Sequence, residues 1–275
     1  MSDTPPSLAF IGTGKMGGAI LEGVVQSGAD APLIRATTQT EAAAELLRAR
    51  GVDARSIEAD SQANSWAVAG ADMVILAVKP HYILEVASSI APALETDAVV
   101  VSVAAGLTTA QIEAVVDQAV VRAMPNTPSQ IQQGVTGIAS GSRASADQVA
   151  TVSDVFRSVG QVVVVDESQI NHLSALSGSG PAYLFYIAEK LIDVAIEHGF
   201  SQDQATTMVQ GTLMGAAALL DSSGETPQAL RQAVTSPGGT TEQAIAVLDE
   251  HQMGQIWSEA IARAVARAEQ MARDA

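Results

Sequence analysis

Leu8-Ala9-Phe10-Ile11-Gly12-Thr13-Gly14-Lys15-Met16-Gly17 decides the fold. Four apolar residues read as a buried strand, and G-x-G-x-x-G follows at once, opening a helical stretch from Met16 to Ser27 that ends near Gly28. In that context each glycine has a physical task. Gly12 makes the tight turn, Gly14 admits a pyrophosphate against the backbone, and Gly17 lets helix and strand pack closely. The first amides of the helix then face phosphate charge.

The residues that follow repeat the strand–helix alternation. Leu33–Thr37 is a second strand, and Glu41–Ala49 an Ala-rich helix with Gly51 as its stop. Further strands are expected at Met73–Val78, Val99–Val103, Val120–Ala123, Val135–Ala139 and Val162–Val165. Continuous Val/Ile runs, rather than strict alternation, mark strands covered on both faces, hence a mostly parallel sheet. The fold class is therefore α/β, a Rossmann-type doubly wound sheet.

After Asp166 the strand signal stops. Helices are expected at Pro181–His198, Asp203–Leu220, Pro227–Val234, Thr241–Asp249 and Gln255–Met271. The chain thus divides into a dinucleotide-binding domain, residues 1–168, and an all-α domain, residues 169–275. No Gly/Ser linker separates them, so the two are expected to pack together. Leu184, Ile187, Leu191 and Val194 form one stripe, while Tyr183, Tyr186 and Ile192 fall elsewhere on the same helix. A helix apolar on all sides needs a second surface, which points to subunit contact through this half.

Composition narrows the function classes. The chain has 275 residues, 47% hydrophobic and 16% charged, with a formal net charge of −16. At roughly 100–200 residues per domain, that length suits two domains. The negative field repels nucleic acid and anionic membranes. Without cysteine there is no disulfide framework, thiolate metal site or thiol nucleophile. Met1–Ser7 lacks the pattern of a signal peptide, and no run approaches the ~20 apolar residues of a membrane span. The expectation is a cytoplasmic protein with a small-molecule substrate, binding neither nucleic acid nor membrane.

An NAD site calls for an acid at the end of the second strand, to accept from the ribose hydroxyl. Here the stretch reads Arg35-Ala36-Thr37-Thr38-Gln39-Thr40, with Asp30 too early and Glu41 too late. Neutral hydroxyls do not repel a 2′-phosphate, so NADPH is expected, with NADH as the alternative. The direction of Arg35 is open at this stage. Lysine occurs only at positions 15, 79 and 190. Lys15 lies inside the glycine turn and Lys79 in Ala77-Val78-Lys79-Pro80, at the strand end where ligands of such sheets bind.

Four further turns carry the remaining chemistry. Ala104-Ala105-Gly106 and Met124-Pro125-Asn126-Thr127-Pro128 follow strands on the same edge, with small residues against which a flat ring can lie. Asn126 is suited either to fix a carboxamide or to tie down a neighbouring loop. Leu176-Ser177-Gly178-Ser179-Gly180-Pro181-Ala182-Tyr183 and Thr235-Ser236-Pro237-Gly238-Gly239-Thr240-Thr241-Glu242 each lead into a helix. The second is an anion cradle: its glycines expose amides, and Thr240 or Thr241 is expected to cap the helix.

In order and spacing these motifs resemble the pyrroline-5-carboxylate reductase family, from Leu8 to about Arg267. The resemblance implies reduction of 1-pyrroline-5-carboxylate to L-proline by NAD(P)H, the last step of proline synthesis. It also implies a helical domain that forms an interlocked dimer, commonly within a decamer. Carried over by position, Ile11, Gly12, Thr13, Gly14, Lys15, Met16 and Gly17 would hold the pyrophosphate, and Thr37 and Thr38 would meet the 2′-phosphate. Asn64 matches a family cofactor contact. Ala77, Val78, Lys79 and Pro80 would line the ribose, with Ala104, Ala105, Gly106, Met124 and Asn126 near the nicotinamide. Ser236, Gly238, Gly239, Thr240 and Thr241 would bind substrate, Thr241 as the catalytic residue at the ring nitrogen, and Glu167 matches an acidic position near it. Ala233 departs from members that carry Asn there.

No Ser/His/Asp grouping or metal-ligand cluster accompanies these residues; His81, His172, His198 and His251 are scattered. Two other readings compete. A β-hydroxyacid dehydrogenase shares the G-x-G-x-M-G start but characteristically uses a lysine where Asn171–Tyr183 has none. A non-catalytic NADP-binding regulator would have no need of Ser236–Thr241.

Overall fold

The computed structural model describes residues 6–28 and 33–274. Asp30 and residues 1–5 of the N-terminal stretch lie outside the described residues. The sheet strands, in chain order, are β1 (Leu8–Ile11), β2 (Ile34–Thr38), β3 (Asp53–Ser56), β4 (Met73–Leu76), β5 (Val99–Ser102), β6 (Ala119–Met124), β7 (Gly134–Ser140) and β8 (Gly160–Val164). Their order across the sheet is β3-β2-β1-β4-β5-β6-β7-β8. All neighbours run parallel except β6 and β7.

That reversal has a local cause. Parallel neighbours need a crossover of a dozen or more residues. Between Met124 and Gly134 the chain has only a short 3₁₀ turn, Thr127–Ile131, so it returns antiparallel. The helices between the other strands are α1 (Lys15–Gln26), α2 (Glu41–Arg48), α3 (Ala63–Val68), α4 (Ile83–Ile90), α5 (Thr109–Glu113) and α6 (Ala146–Arg157).

The period-2 alternation of side chains explains why the strands read as unbroken apolar runs. Leu8 and Phe10 of β1 join Ile20, Leu21 and Val24 of α1 and Val152 and Phe156 of α6 in one cluster. Ala9 and Ile11 join Ala67 and Val68 of α3, Ile83, Ala87 and Ile90 of α4, and Ile112 of α5 in another. Both faces are covered.

A first compact unit extends through Ser179 and takes in the chain again from Ala264; a second spans Gly180–Arg263. The first therefore includes α7 (Ile170–Leu173) and a single π-helical turn, Ser174–Gly178. The second holds α8 (Gly180–Glu197), α9 (Gln202–Ser223), α10 (Pro227–Ala233), α11 (Thr240–Glu250) and the first part of α12 (Met253–Asp274). Gly199 and Gly224 follow α8 and α9 with positive φ, the backbone that glycine adopts without strain.

Within the second unit α8 lies against α9, and the Tyr183 ring packs tilted against Trp257 with centroids 5.5 Å apart. Ala205 and Val209 of α9 are buried, but much of the remaining apolar surface is open. Leu184, Leu191 and Val194 of the expected stripe are exposed, as are Phe185, Tyr186 and Met214. No described helix is long and apolar enough to cross a membrane.

Candidate functional site

The glycine turn follows β1 directly and leads into α1. Gly12 has φ +86°, and a Cβ there would sit 2.8 Å from Val78 Cγ1. A Cβ on Gly17 would press on the Gly12 carbonyl oxygen and come within 2.8 Å of Ala77 Cβ. Gly14 is different: a Cβ added there meets nothing within 4 Å. Two glycines are thus needed for close backbone packing, and the one between them borders open space. Gly14 is also the N-cap of α1 and brings no side-chain cap, so the first turn offers its amides unshielded. Open space over uncapped helix amides is what an anion such as a pyrophosphate needs.

Thr37 and Thr38 are almost fully buried. Thr37 Oγ1 accepts from the Gly12 amide at 3.2 Å, and the Thr37 carbonyl accepts from the Thr13 hydroxyl at 3.2 Å. The Thr38 hydroxyl donates to the Thr40 carbonyl at 2.8 Å. Both hydroxyls therefore hold backbone in this structure, and the exposed polar side chains beyond β2 are Gln39 and Thr40. Glu41, the first acid after β2, accepts from the Ser56 hydroxyl and from Arg48. Ser56 first, and Arg48 second, hold its carboxyl below the ordinary range.

Arg35, whose direction the sequence left open, donates to the carbonyls of Trp66 and Ala69. Arg55 of β3, absent from the sequence reading, stacks 4.1 Å from the Trp66 ring. Both are committed to holding α3. That helix carries Asn64, whose Oδ1 is buried with no hydrogen-bond partner. A buried acceptor left unpaired is costly, and a ligand hydroxyl or amino group would satisfy it. The residues expected to bind a dinucleotide fit such a ligand on these two counts, the Gly14 opening and the orphaned Asn64 oxygen.

The three remaining turns of the first unit are also built by short contacts. Ala77 donates to the Ile11 carbonyl; β4 ends at Leu76, two residues before the expected Val78, and Lys79, preceding Pro80, takes the extended backbone. Gly106 turns the chain after β5 with φ +78°, and the Ala104 amide donates to Ser102 Oγ. Asn126 spends both ends of its amide inside the protein: Nδ2 donates to the Ser177 carbonyl at 3.0 Å, and Oδ1 accepts from the Val135 amide at 2.9 Å. Of its two sequence-derived roles, the structure displays the tie to a neighbouring segment. Met124 meets the same segment, its Cε 3.6 Å from where a Gly178 Cβ would lie.

Glu167 belongs to this unit. Its carboxylate accepts from the Thr109 amide and from the Thr109 hydroxyl, both at 2.6 Å, and lies 3.7 Å from Arg122 Nη1. Arg122 is buried on β6, and its Nη2 donates to Asn171 Oδ1 at 3.2 Å. Burial lowers the Arg122 pKa, and the neighbouring Glu167 charge works against that. Sequence reasoning missed Arg122, Thr109 and Asn171. An arginine inside an otherwise apolar strand was the available signal.

In the second unit the Ser236–Thr241 turn is closed by Gly239 N donating to Ser236 O at 2.9 Å, with Gly238 at φ +73°. The expectation that Thr240 or Thr241 caps the helix is corrected. Gly239 is the N-cap of α11 without a side-chain cap, and Glu242 reaches back to accept from the Gly238 amide at 2.7 Å. Thr240 and Thr241 sit in the first helical turn, where a hydroxyl is no longer placed to cap. Among the described residues no group of His, Asp and Glu side chains is arranged to hold a metal ion.

Comparison with known proteins agrees with this anatomy. The family described as pyrroline-5-carboxylate reductase dimerisation matches residues 167–271, and that described as NADP oxidoreductase coenzyme F420-dependent matches residues 7–106. The chain is 38% identical to the pyrroline-5-carboxylate reductase of Pseudomonas aeruginosa over 244 residues, 87% of each protein. A solved pyrroline-5-carboxylate reductase from Coxiella burnetii superposes with a TM-score of 0.91 at 37% identity, covering 98% of this chain and 99% of that one. The Plasmodium falciparum pyrroline carboxylate reductase, solved with NADP bound, shares the fold with a TM-score of 0.83 at 24% identity, covering 97% and 98%. The chain belongs to the pyrroline-5-carboxylate reductase family.

Proposed function

We propose that the protein reduces 1-pyrroline-5-carboxylate to L-proline in the cytoplasm, with NADPH preferred over NADH. The observation that carries this reading is the open Gly14 cradle, in a chain that also bears the Ser236–Thr241 turn of its family. NADPH, when bound, supplies the hydride.

The protein's part is binding and alignment. Ile11 to Gly17 would hold the pyrophosphate on the α1 amides, and Asn64 would find a partner for its buried oxygen. The polar end of β2, Thr37 to Thr40, lies where a 2′-phosphate is read in this fold, and Arg48 offsets the Glu41 charge nearby. Ala77 to Pro80 would line the ribose, and Ala104 to Gly106 with Met124 the nicotinamide. Asn126 would keep that last loop in place rather than touch the ring.

Ser236, Gly238, Gly239 and Thr240 would receive the substrate carboxylate, with Thr241 hydrogen-bonded to the ring nitrogen. A protonated cyclic imine is already a strong hydride acceptor, so orientation and that one hydrogen bond suffice. The second unit is proposed to form the dimer, its exposed Leu184, Phe185 and Tyr186 covered by a second copy, with a decamer as the larger assembly.

Steady-state kinetics with pyrroline-5-carboxylate and each reduced nicotinamide test the proposal. Loss of nicotinamide absorbance, with the higher kcat/KM for NADPH, is expected. No turnover with either cofactor, or oxidation of 3-hydroxyisobutyrate in its place, overturns it.

A further inference from the structure

Arg122 is a buried cation in the middle of a Val/Ala strand, and its side chain is only 4% exposed. Such a charge persists only when an anion compensates it. Glu167 is that anion, yet its oxygens do more than neutralise Arg122: they take the amide and the hydroxyl of Thr109. Thr109 opens α5, three residues after Gly106 of the Ala104–Gly106 turn. Arg122 stands two residues before Met124 of the Met124–Pro128 turn. On its other side Arg122 holds Asn171 in α7, which runs into the π-helical turn whose Ser177 carbonyl Asn126 grips. One network thus links the segments that flank the Ala104–Gly106 and Met124–Pro128 turns to the π-helical turn Ser174–Gly178. π-Helical turns of this kind are frequent at functional sites.

We propose that Arg122 and Glu167 are positioning residues for the reduction: through Thr109 and Asn171 they hold the Ala104–Gly106 and Met124–Pro128 turns at one spacing. The inference rests on the proposed function and assigns Glu167 a role through Thr109 and Arg122 rather than as a substrate ligand. The spacing matters because these turns are the proposed walls for a flat ring, and a displacement of about 1 Å can slow a reaction by about 100-fold. Binding of the dinucleotide depends mostly on the glycine turn, so the network is expected to govern turnover and leave affinity alone.

The test uses the full-length protein with Glu167→Gln, Thr109→Ala and Thr109→Ser. Amide hydrogen exchange over residues 104–113 is measured without ligand, NADPH affinity by fluorescence titration, and kcat with pyrroline-5-carboxylate. In Glu167→Gln, exchange over 104–113 is expected to rise about 10-fold and kcat to fall about 10-fold, with NADPH affinity within about twofold of wild type. Thr109→Ala is expected to move in the same direction and Thr109→Ser to restore wild-type behaviour, because serine keeps both donors. If Glu167→Gln does not fold, the Thr109 pair decides.

An unchanged kcat in folded Glu167→Gln overturns the proposal. So does an equal loss of NADPH affinity and turnover, or a Thr109→Ser variant as slow as Thr109→Ala. Failure of the wild-type protein to turn over would instead fall on the proposed function, since exchange at 104–113 reads the network directly.

Discussion

Thr37 Oγ1 accepts a hydrogen bond from the Gly12 backbone amide at 3.2 Å, tying the end of the second strand to the first glycine of the Gly12–Gly17 turn. Thr37 is fully buried, so no water replaces it. Thr37→Val keeps the shape and strands the Gly12 donor, at a cost of about 1–3 kcal/mol. Denaturant unfolding is expected to show that loss, with weakened NADPH binding in parallel. Thr37→Ser should recover most of both. Wild-type stability in Thr37→Val would show that the turn stands without this bond.

Gly14 borders open space, proposed for the ligand, whereas Gly17 lies in packing space. Gly14→Ala meets nothing in the protein and has φ −68°, which alanine adopts freely. Its stability is expected to stay within about 0.5 kcal/mol of wild type while NADPH affinity falls at least about 10-fold. Gly17→Ala drives a methyl into Ala77 and the Gly12 carbonyl, so it should unfold more readily even without ligand. Calorimetry of the ligand-free variants distinguishes them, and equal destabilisation of both contradicts the assignment of Gly14 to the ligand.

Thr241→Ala is expected to lower kcat by about 10- to 100-fold with NADPH affinity preserved, because the hydroxyl proposed at the ring nitrogen would act only on the substrate side. Thr241→Ser should keep most of the activity. An unchanged turnover number in the alanine variant removes Thr241 from the mechanism.

Glu41 titrates lower in the folded protein than its ordinary value of 4.5, because Ser56 and then Arg48 bind its charged form. A depressed carboxyl stabilises the fold above the unfolded-state pKa and loses that contribution as pH falls through the folded value. Stability is therefore expected to drop on acidification below pH 4.5, and Glu41→Gln should flatten part of that slope. Urea midpoints measured from neutral pH down to the acid limb check this. The site is exposed, so the effect should shrink in high salt.

Element placement was legible wherever a strand is covered on both faces. β1, β4, β5 and β6 carry nearly continuous apolar runs, and they lie in the middle of the sheet. β3 went unread because it is an edge strand: Asp53 and Arg55 face solvent while only Ala54 and Ser56 turn inward. The antiparallel return of β7 was also missed. It follows from connection length rather than residue type, a short turn being unable to carry a parallel crossover.

The candidate site divides along the same line. Glycine spacing announces the tight turn after β1, because only the absence of a side chain permits the approaches at Gly12 and Gly17, and absence is visible in a sequence. Pro80 announces that the strand cannot run on past it, because proline brings no amide to the ladder.

The partners of polar side chains are another matter. Thr37 and Thr38 have the right chemistry for a phosphate, yet their hydroxyls face inward onto backbone. Asn126 sits in the expected turn, but its amide is spent on Val135 and Ser177. Glu167 lies 58 residues from Thr109 in the chain and 2.6 Å from it in space. Local periodicity and backbone sterics follow from neighbours a few positions away, so the order of residues alone establishes the doubly wound sheet, the glycine cradle and the family. Which hydroxyl, amide or carboxylate remains free for a ligand depends on which distant strand ends come to lie side by side, and that adjacency arises only when the sheet has assembled.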